Sequence, residues 1–203
     1  MKKICAFIFL SILFSACNSN NSKNKSIRDE LEREAKVEAE LDSIRKNDKK
    51  KAMLGSDWID HTWNYVVKTD EMSDAQNVWA KALSDNFIKD YPYDDIYALI
   101  VIRYMKGNGS DAYIQITAGQ IYGNEYRGEN YIMARFDDGN AIKYDFNDSP
   151  DGSTKYIFIK KSKDFIKRCN TAKSIKIQIP LYQKDRPIFS FSFDKYLNWQ
   201  EKM

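Results

Sequence analysis

The sequence predicts a mainly β fold, an antiparallel β-sandwich of about nine strands with one or two short helices, preceded by a charged helical linker. Three observations predict it. Short runs rich in β-branched and aromatic residues recur from residue 63 onwards, turn chemistry separates most of them, and several alternate apolar and polar side chains with a period of two.

The runs, in order, are Trp63 to Lys68, Asn77 to Ser84, Ile96 to Met105, Ala112 to Ala118 and Tyr131 to Phe136, then Ala141 to Phe146, Lys155 to Lys160, Ser174 to Ile179 and Ile188 to Phe193. Between them lie Lys106-Gly107-Asn108-Gly109-Ser110, Asp137-Asp138-Gly139-Asn140 and Ser149-Pro150-Asp151-Gly152-Ser153. These are clusters of residues that turn easily. Ile142, Tyr144 and Phe146 point one way with Lys143 and Asp145 opposite, and Ile175, Ile177 and Ile179 oppose Lys176 and Gln178. Ile96 to Ile102 is apolar throughout, which predicts a central strand. Asn77 to Ser84 contains good helix formers at Ala80 to Leu83, so helix is the alternative there, and the segment is read as strand. Ser162 is placed to cap a helix with Asp164 in its first turn and Phe165, Ile166, Cys169 and Ala172 on one face. A last helical turn is expected from Asp194 to Gln200.

The amino-terminal part has a different character. Met1-Lys2-Lys3, an apolar run from Ile4 to Phe14, and Ser15-Ala16-Cys17 follow the charged, apolar, small-residue order of a secretory signal too short to span a bilayer. Phe14-Ser15-Ala16-Cys17 resembles the bacterial lipobox, which implies cleavage before Cys17 and acylation of its sulfur, palmitate included. Residues 1–16 are thus expected to be a signal peptide, 17–25 a lipidated polar tether, 26–54 a charged helical linker and 55–203 the β-sandwich domain. In the linker, Glu34 and Glu38 fall where a heptad seam wants apolar residues, which predicts a solvated spacer and not a coiled coil. Asn18 after the cysteine, where resemblance to inner-membrane retention signals would require Asp, points to an outer-membrane anchor on the periplasmic side.

Composition narrows the chemistry. Removal of Lys2 and Lys3 with the signal leaves 30 basic residues of the 32 against 29 acidic, so no electrostatic footprint for nucleic acid is expected. Cys169 is the one cysteine of the domain, so an internal disulfide is not expected. His61 is the single histidine of the chain, and no nucleophile motif lies near it in sequence. With one histidine and one unlipidated cysteine no zinc site is expected, and no other metal or cofactor. Asp145 to Gly152 alternates oxygen ligands but puts Pro150 where a calcium loop needs glycine and Tyr156 where it needs a bidentate glutamate. The doublets Asp94-Asp95 and Asp137-Asp138 lie at strand ends, and neighbouring residues there point to opposite sides, so neither makes a glycosidase pair. No catalytic residue is expected. Arg103 and Arg135 interrupt apolar strands and read as core ion-pair partners or ligand anchors. Tyr91, Tyr93, Tyr97, Tyr113, Tyr122, Tyr126 and Tyr131 enrich the middle of the domain, and an exposed subset would suit sugar stacking or a protein interface.

Trp63, then Asp70, Met72, Ser73 and Asp74, then Leu99 with Arg103, then Arg135-Phe136-Asp137-Asp138-Gly139, then Phe189, Phe193 and Trp199, form an ordered set. Over about residues 58 to 200 it resembles VasI-like type VI secretion-associated proteins and related exported proteins. The resemblance implies a β-rich exported domain without known catalytic residues. The expectation from these readings together is a membrane-anchored lipoprotein whose non-catalytic domain binds another envelope protein. A glycan-binding lipoprotein is the alternative.

Overall fold

The computed structural model describes residues 21–55, 57–90, 95–123 and 128–199. The signal segment and Cys17 lie outside the described residues, as do Tyr91, Tyr93, Asp94 and Tyr126. The chain divides into two compact units, residues 1–57 and 58–203, three residues beyond the boundary expected at Gly55.

In the first unit α1 runs Asn21–Leu54. It starts within the segment expected to be tether, so Asn21 to Lys25 are helical. Nothing in that stretch opposes helix, since it has neither Gly nor Pro. Leu31, Val37, Leu41 and Ile44 are all about half exposed, so no continuous apolar face is buried, as the broken stripe in the sequence requires. Among the described residues no helix is long and apolar enough to cross a membrane.

The second unit is mainly β. Nine strands are β1 Asn64–Thr69, β2 Gln76–Leu83, β3 Ala98–Met105, β4 Gly109–Ile116, β5 Tyr131–Phe136, β6 Ile142–Asp148, β7 Tyr156–Ile159, β8 Ser174–Gln178 and β9 Ile188–Ser192. They form one antiparallel sheet in the order β1-β2-β3-β4-β7-β6-β5-β8-β9. The sheet folds over a single core in the manner of a sandwich. Ala80, Ile100, Ile102, Ile114, Ile132, Ala134, Tyr144, Phe146, Ile177, Phe189 and Phe191, drawn from both halves, are essentially removed from water in one cluster. The alternation in β2 is decisive over helix propensity, because Val78, Ala80 and Ala82 pack inward while Trp79 and Lys81 face outward.

The two ends of the sheet meet. Segment Asp85-Asn86, just after β2, pairs with β9: the Asp85 amide donates to the Ser190 carbonyl at 2.7 Å. Asn86 continues the pairing with its side chain, Oδ1 accepting from the Ser190 amide at 2.7 Å and Nδ2 donating to the Ile188 carbonyl at 2.9 Å. Before β1, the His61 carbonyl accepts from the Asp194 amide at 2.9 Å, and Trp63 stacks on Phe193 with ring centroids 4.8 Å apart. The free polar groups of β9 are thereby covered, which protects an edge from pairing with another chain.

Helix α2, Ser162–Cys169, buries Phe165, Ile166 and Cys169, with Phe165 edge-on to Tyr144 and Phe136. Its cap differs from expectation. Lys161 is the N-cap residue and makes no side-chain cap bond, while the Ser162 hydroxyl donates to the Ile159 carbonyl and accepts from the Ala112 amide, tying the helix start to β7 and β4. From Asp194 to Trp199 the chain is not helical. Leu197 and Trp199 are instead buried, and the Trp199 indole donates to the Ser110 hydroxyl at 3.1 Å, so anchoring of two apolar residues prevails over local helix preference.

Candidate functional site

Register identifies two outward faces of very different composition. On β6, β5, β8 and β9 the outward residues are Lys143, Asp145, Tyr131, Met133, Arg135, Lys176, Gln178, Ile188, Ser190 and Ser192, a mostly polar face with Tyr131, Met133 and Ile188 among the charges. On β1, β2, β3, β4 and β7 the outward rows read Val66, Trp79, Arg103, Asp111, then Lys81, Val101, Tyr113, Phe158, then Leu83, Leu99, Gln115, Tyr156. Val101 on this side is fully buried, and Leu99 and Leu83 retain only 5% and 8% of their exposure. The first five residues of β3 are thus buried on both faces, which explains the apolar run before Arg103.

Arg103 sits in the middle of that aromatic face. Its Nε donates to Asp111 Oδ1 at 3.0 Å and its Nη2 to Oδ2, a bidentate pair between cross-strand neighbours. The guanidinium also lies over the rings of Tyr113 (5.7 Å) and Phe158 (5.5 Å), whose own centroids are 5.3 Å apart. The hydrogen bond to Asp111 raises the Arg103 pKa further, and burial raises that of Tyr113. Arg103 therefore has the carboxylate partner expected of it, but on the outward face and not in the core. At the rim Lys81 is held below the usual lysine range, first by burial and then by the charge of Lys68.

For Arg135 the core ion-pair reading does not hold. The residue is exposed and stands directly opposite Lys176, with no carboxylate within ion-pair distance among the described residues. A strand that alternates simply places Arg135 outward, so it anchors nothing in the core.

Folding also brings together groups that the sequence keeps far apart. His61 Nδ1 lies 2.8 Å from Ser192 Oγ and 3.2 Å from Asp85 Oδ1. These are the residue types of a hydrolytic triad without its geometry. A relay needs the hydroxyl at one ring nitrogen and the carboxylate at the other, whereas both here share Nδ1. His61 has φ of 55°, a left-handed conformation uncommon for a residue with a Cβ, and its ring and carbonyl together pin the start of β1 to the end of β9.

The acidic candidates are occupied in the same structural way. Asp137 Oδ1 accepts from the amides of Lys173 and Ser174, both at 2.9 Å, holding the start of β8. Asp151 accepts from the Ser149 hydroxyl at 2.7 Å, the Ser153 amide at 2.9 Å and the Tyr156 hydroxyl, which together hold its pKa at about 2. The segment with calcium-loop flavour is a closed turn. No group of three potential metal-ligating residues is found among the described residues. Burial raises the Cys169 thiol well above its ordinary pKa, which disfavours the nucleophilic thiolate.

Of the tyrosines singled out, Tyr97 is buried and Tyr113 and Tyr131 are half-buried, while Tyr122 is exposed. Tyr182, which sequence reasoning passed over, meets Tyr122 edge-on at 5.9 Å. The two come together because the Tyr122 amide donates to the Pro180 carbonyl and the Tyr182 amide to that of Gln120.

Comparison with protein-family models, curated proteins and solved structures finds no match to this chain.

Proposed function

We propose that this chain is a membrane-anchored lipoprotein whose non-catalytic β-sandwich docks a second cell-envelope protein through the outward aromatic face of β2, β3, β4 and β7. One observation carries the reading. The domain has two outward sheet faces, and one is mostly polar, with Tyr131, Met133 and Ile188 scattered among charged residues, while the other gathers Trp79, Arg103, Tyr113, Tyr156 and Phe158 around buried aliphatic residues. Trp, Tyr and Arg dominate the energetics of protein interfaces, because their large rigid surfaces bury well and retain a polar tip. Arg103 brings its own counter-ion, so a partner can cover it without leaving a bare buried charge. Lys68 and Lys81 at the rim suit a partner with an acidic border.

Lipid on Cys17 supplies the membrane attachment in this reading, at the outer membrane on the periplasmic side. Helix α1, 34 residues long, would supply reach of about 50 Å at the helical rise. The residues that carry the resemblance to VasI-like proteins are largely scaffold here. Trp63 stacks on Phe193, Asp70 closes the β1–β2 turn by accepting from the amides of Met72 and Ser73, and Trp199 anchors the carboxyl-terminal segment. Kinship in fold would therefore leave the partner open.

The test is affinity capture from detergent-solubilised membranes with wild type, Trp79→Ser, Phe158→Ser and, as control, Tyr182→Ala. The reading expects one envelope protein to be enriched with wild type and control and lost with both face variants. No enrichment above background with wild type, or equal enrichment with all four, would contradict it.

A further inference from the structure

A cleft of about 490 Å³ opens beside the Tyr122–Tyr182 pair, away from the aromatic sheet face. It is lined by Tyr122, Glu129, Tyr131, Gln178, Pro180 and Leu181, with Lys184, Asp185 and Arg186 completing the wall. Its size is in the range of pockets that hold small ligands. From its chemistry we infer that it binds an uncharged oligosaccharide, independently of the docking reading above.

The two cations of the wall are already engaged. Arg186 donates to the carbonyls of Tyr131 (2.8 Å) and Glu129 (3.0 Å), with its guanidinium 3.9 Å from the Tyr131 ring centroid. Lys184 Nζ pairs with Asp90 at 3.1 Å and donates to the Lys89 carbonyl at 3.2 Å. These bonds fix the wall and hold both cationic heads against it. The uncommitted groups are the carboxylates of Glu129 and Asp185 and the side-chain amide of Gln178, none of which has a partner among the described residues. They are mainly acceptors, as a ligand rich in hydroxyl donors requires.

Both signs line the wall among the described residues: Glu129 and Asp185 stand beside Arg186, and Lys184 is already paired with Asp90, so no cationic field recruits an anion. The half-exposed ring of Tyr122 offers the apolar platform on which the C–H face of a sugar packs, while the hydroxyl edges reach the acceptors. Tyr182 meets it edge-on with ring centroids 5.9 Å apart. A platform, fixed walls and a balanced set of acceptors together form a sugar site. Below Tyr122, Gly123 has no room for a side chain, since a Cβ there would lie 2.1 Å from Asn130 Oδ1, so the chain that carries the platform packs tightly on the domain.

The experiment is titration calorimetry of the full-length chain in a sugar-free detergent. The probes are cellotriose and tri-N-acetylchitotriose, both uncharged, against a hyaluronan trisaccharide and a glucosamine trimer. The inference expects saturable binding of at least one uncharged probe and weaker or absent binding of the charged ones. Tyr122→Ala should weaken it by about fivefold or more, and Tyr122→Phe should retain it. Met72→Ala, in the exposed turn between β1 and β2, should leave it unchanged. No saturable heat with either uncharged probe at millimolar concentration overturns the inference. So does preference for a charged trimer, or binding indifferent to Tyr122→Ala.

Discussion

Replacing Asn86 by alanine should loosen β9 and lower the stability of the whole domain, since one side chain performs work that elsewhere in the sheet belongs to backbone. Asn86 accepts from the Ser190 amide at 2.7 Å and donates to the Ile188 carbonyl at 2.9 Å. A hydrogen bond of this kind contributes about 1 kcal/mol net, and more where the abandoned group stays out of reach of water. Asn86 and Ser190 are both half-buried, so water can replace part of what is lost. The expected cost is about 2 kcal/mol, which for a domain of this size lowers Tm by roughly 4–8 °C. Asn86→Asp keeps the acceptor for Ser190 and loses the donor to Ile188, so it should destabilise and yet protect the Ser190 amide better than alanine does. Urea unfolding followed by tryptophan fluorescence measures the first quantity, and amide hydrogen exchange at Ser190 the second. If Asn86→Ala unfolds within about 0.5 kcal/mol of wild type and Ser190 exchanges no faster, the closure of the sheet does not depend on this side chain and the account of the edge is wrong.

Three further outcomes are expected. Tyr144→Phe keeps the ring among Phe136 and Phe165 but removes the 2.6 Å bond from its hydroxyl to Asp164, and should cost about 1–2 kcal/mol in urea unfolding; Asp164, whose pKa that bond lowers most and Arg168 next, should titrate at higher pH in the variant by carboxyl NMR. The Asp151 pKa lies at about 2 in the folded domain against an ordinary 3.8, so its ionised form favours folding above 3.8 and that benefit disappears as pH falls towards 2; the stability gap between wild type and Asp151→Asn should be constant near neutrality and close across that window. Cys17→Ala should lack lipid mass in intact-protein mass spectrometry and be released from membranes or left unprocessed, whereas equal mass and solubility of variant and wild type would remove the lipid anchor from the account.

Much of the fold is legible in the sequence because the physics is local. All nine strands lie where alternation and turn residues predict them, within a few residues at each end. The helical misreadings have a common cause. The last segment, Asp194 to Trp199, has acceptable helix propensity, but burial of Leu197 and Trp199 draws it out along the domain. The Ser162 hydroxyl is similarly taken from the cap by β7 and β4. At the other end of the chain, the tether gives way to helix at Asn21 because Ser22 to Lys25 continue the linker without a breaker.

The candidate sites were legible only in fragments. Arg103 could be singled out as a charge in an apolar strand, and its partner Asp111 lies just across the next turn. The aromatic face could not be read so directly, because β7 joins β4 out of sequence order and only that pairing sets Phe158 beside Tyr113. Glu129, Gln178 and Asp185 belong to three separate stretches, and no spacing rule unites them with Tyr122. His61, Asp85 and Ser192 are likewise assembled by the closing of the sheet, and only the geometry distinguishes their pin from a triad.

The most direct test of the docking account is photo-cross-linking in intact cells, with a benzoylphenylalanine placed at Phe158 on the aromatic face or at Arg135 on the polar one. The account predicts one discrete envelope-protein adduct from position 158 and none from position 135. No adduct from 158, or the same adducts from both positions, would contradict it.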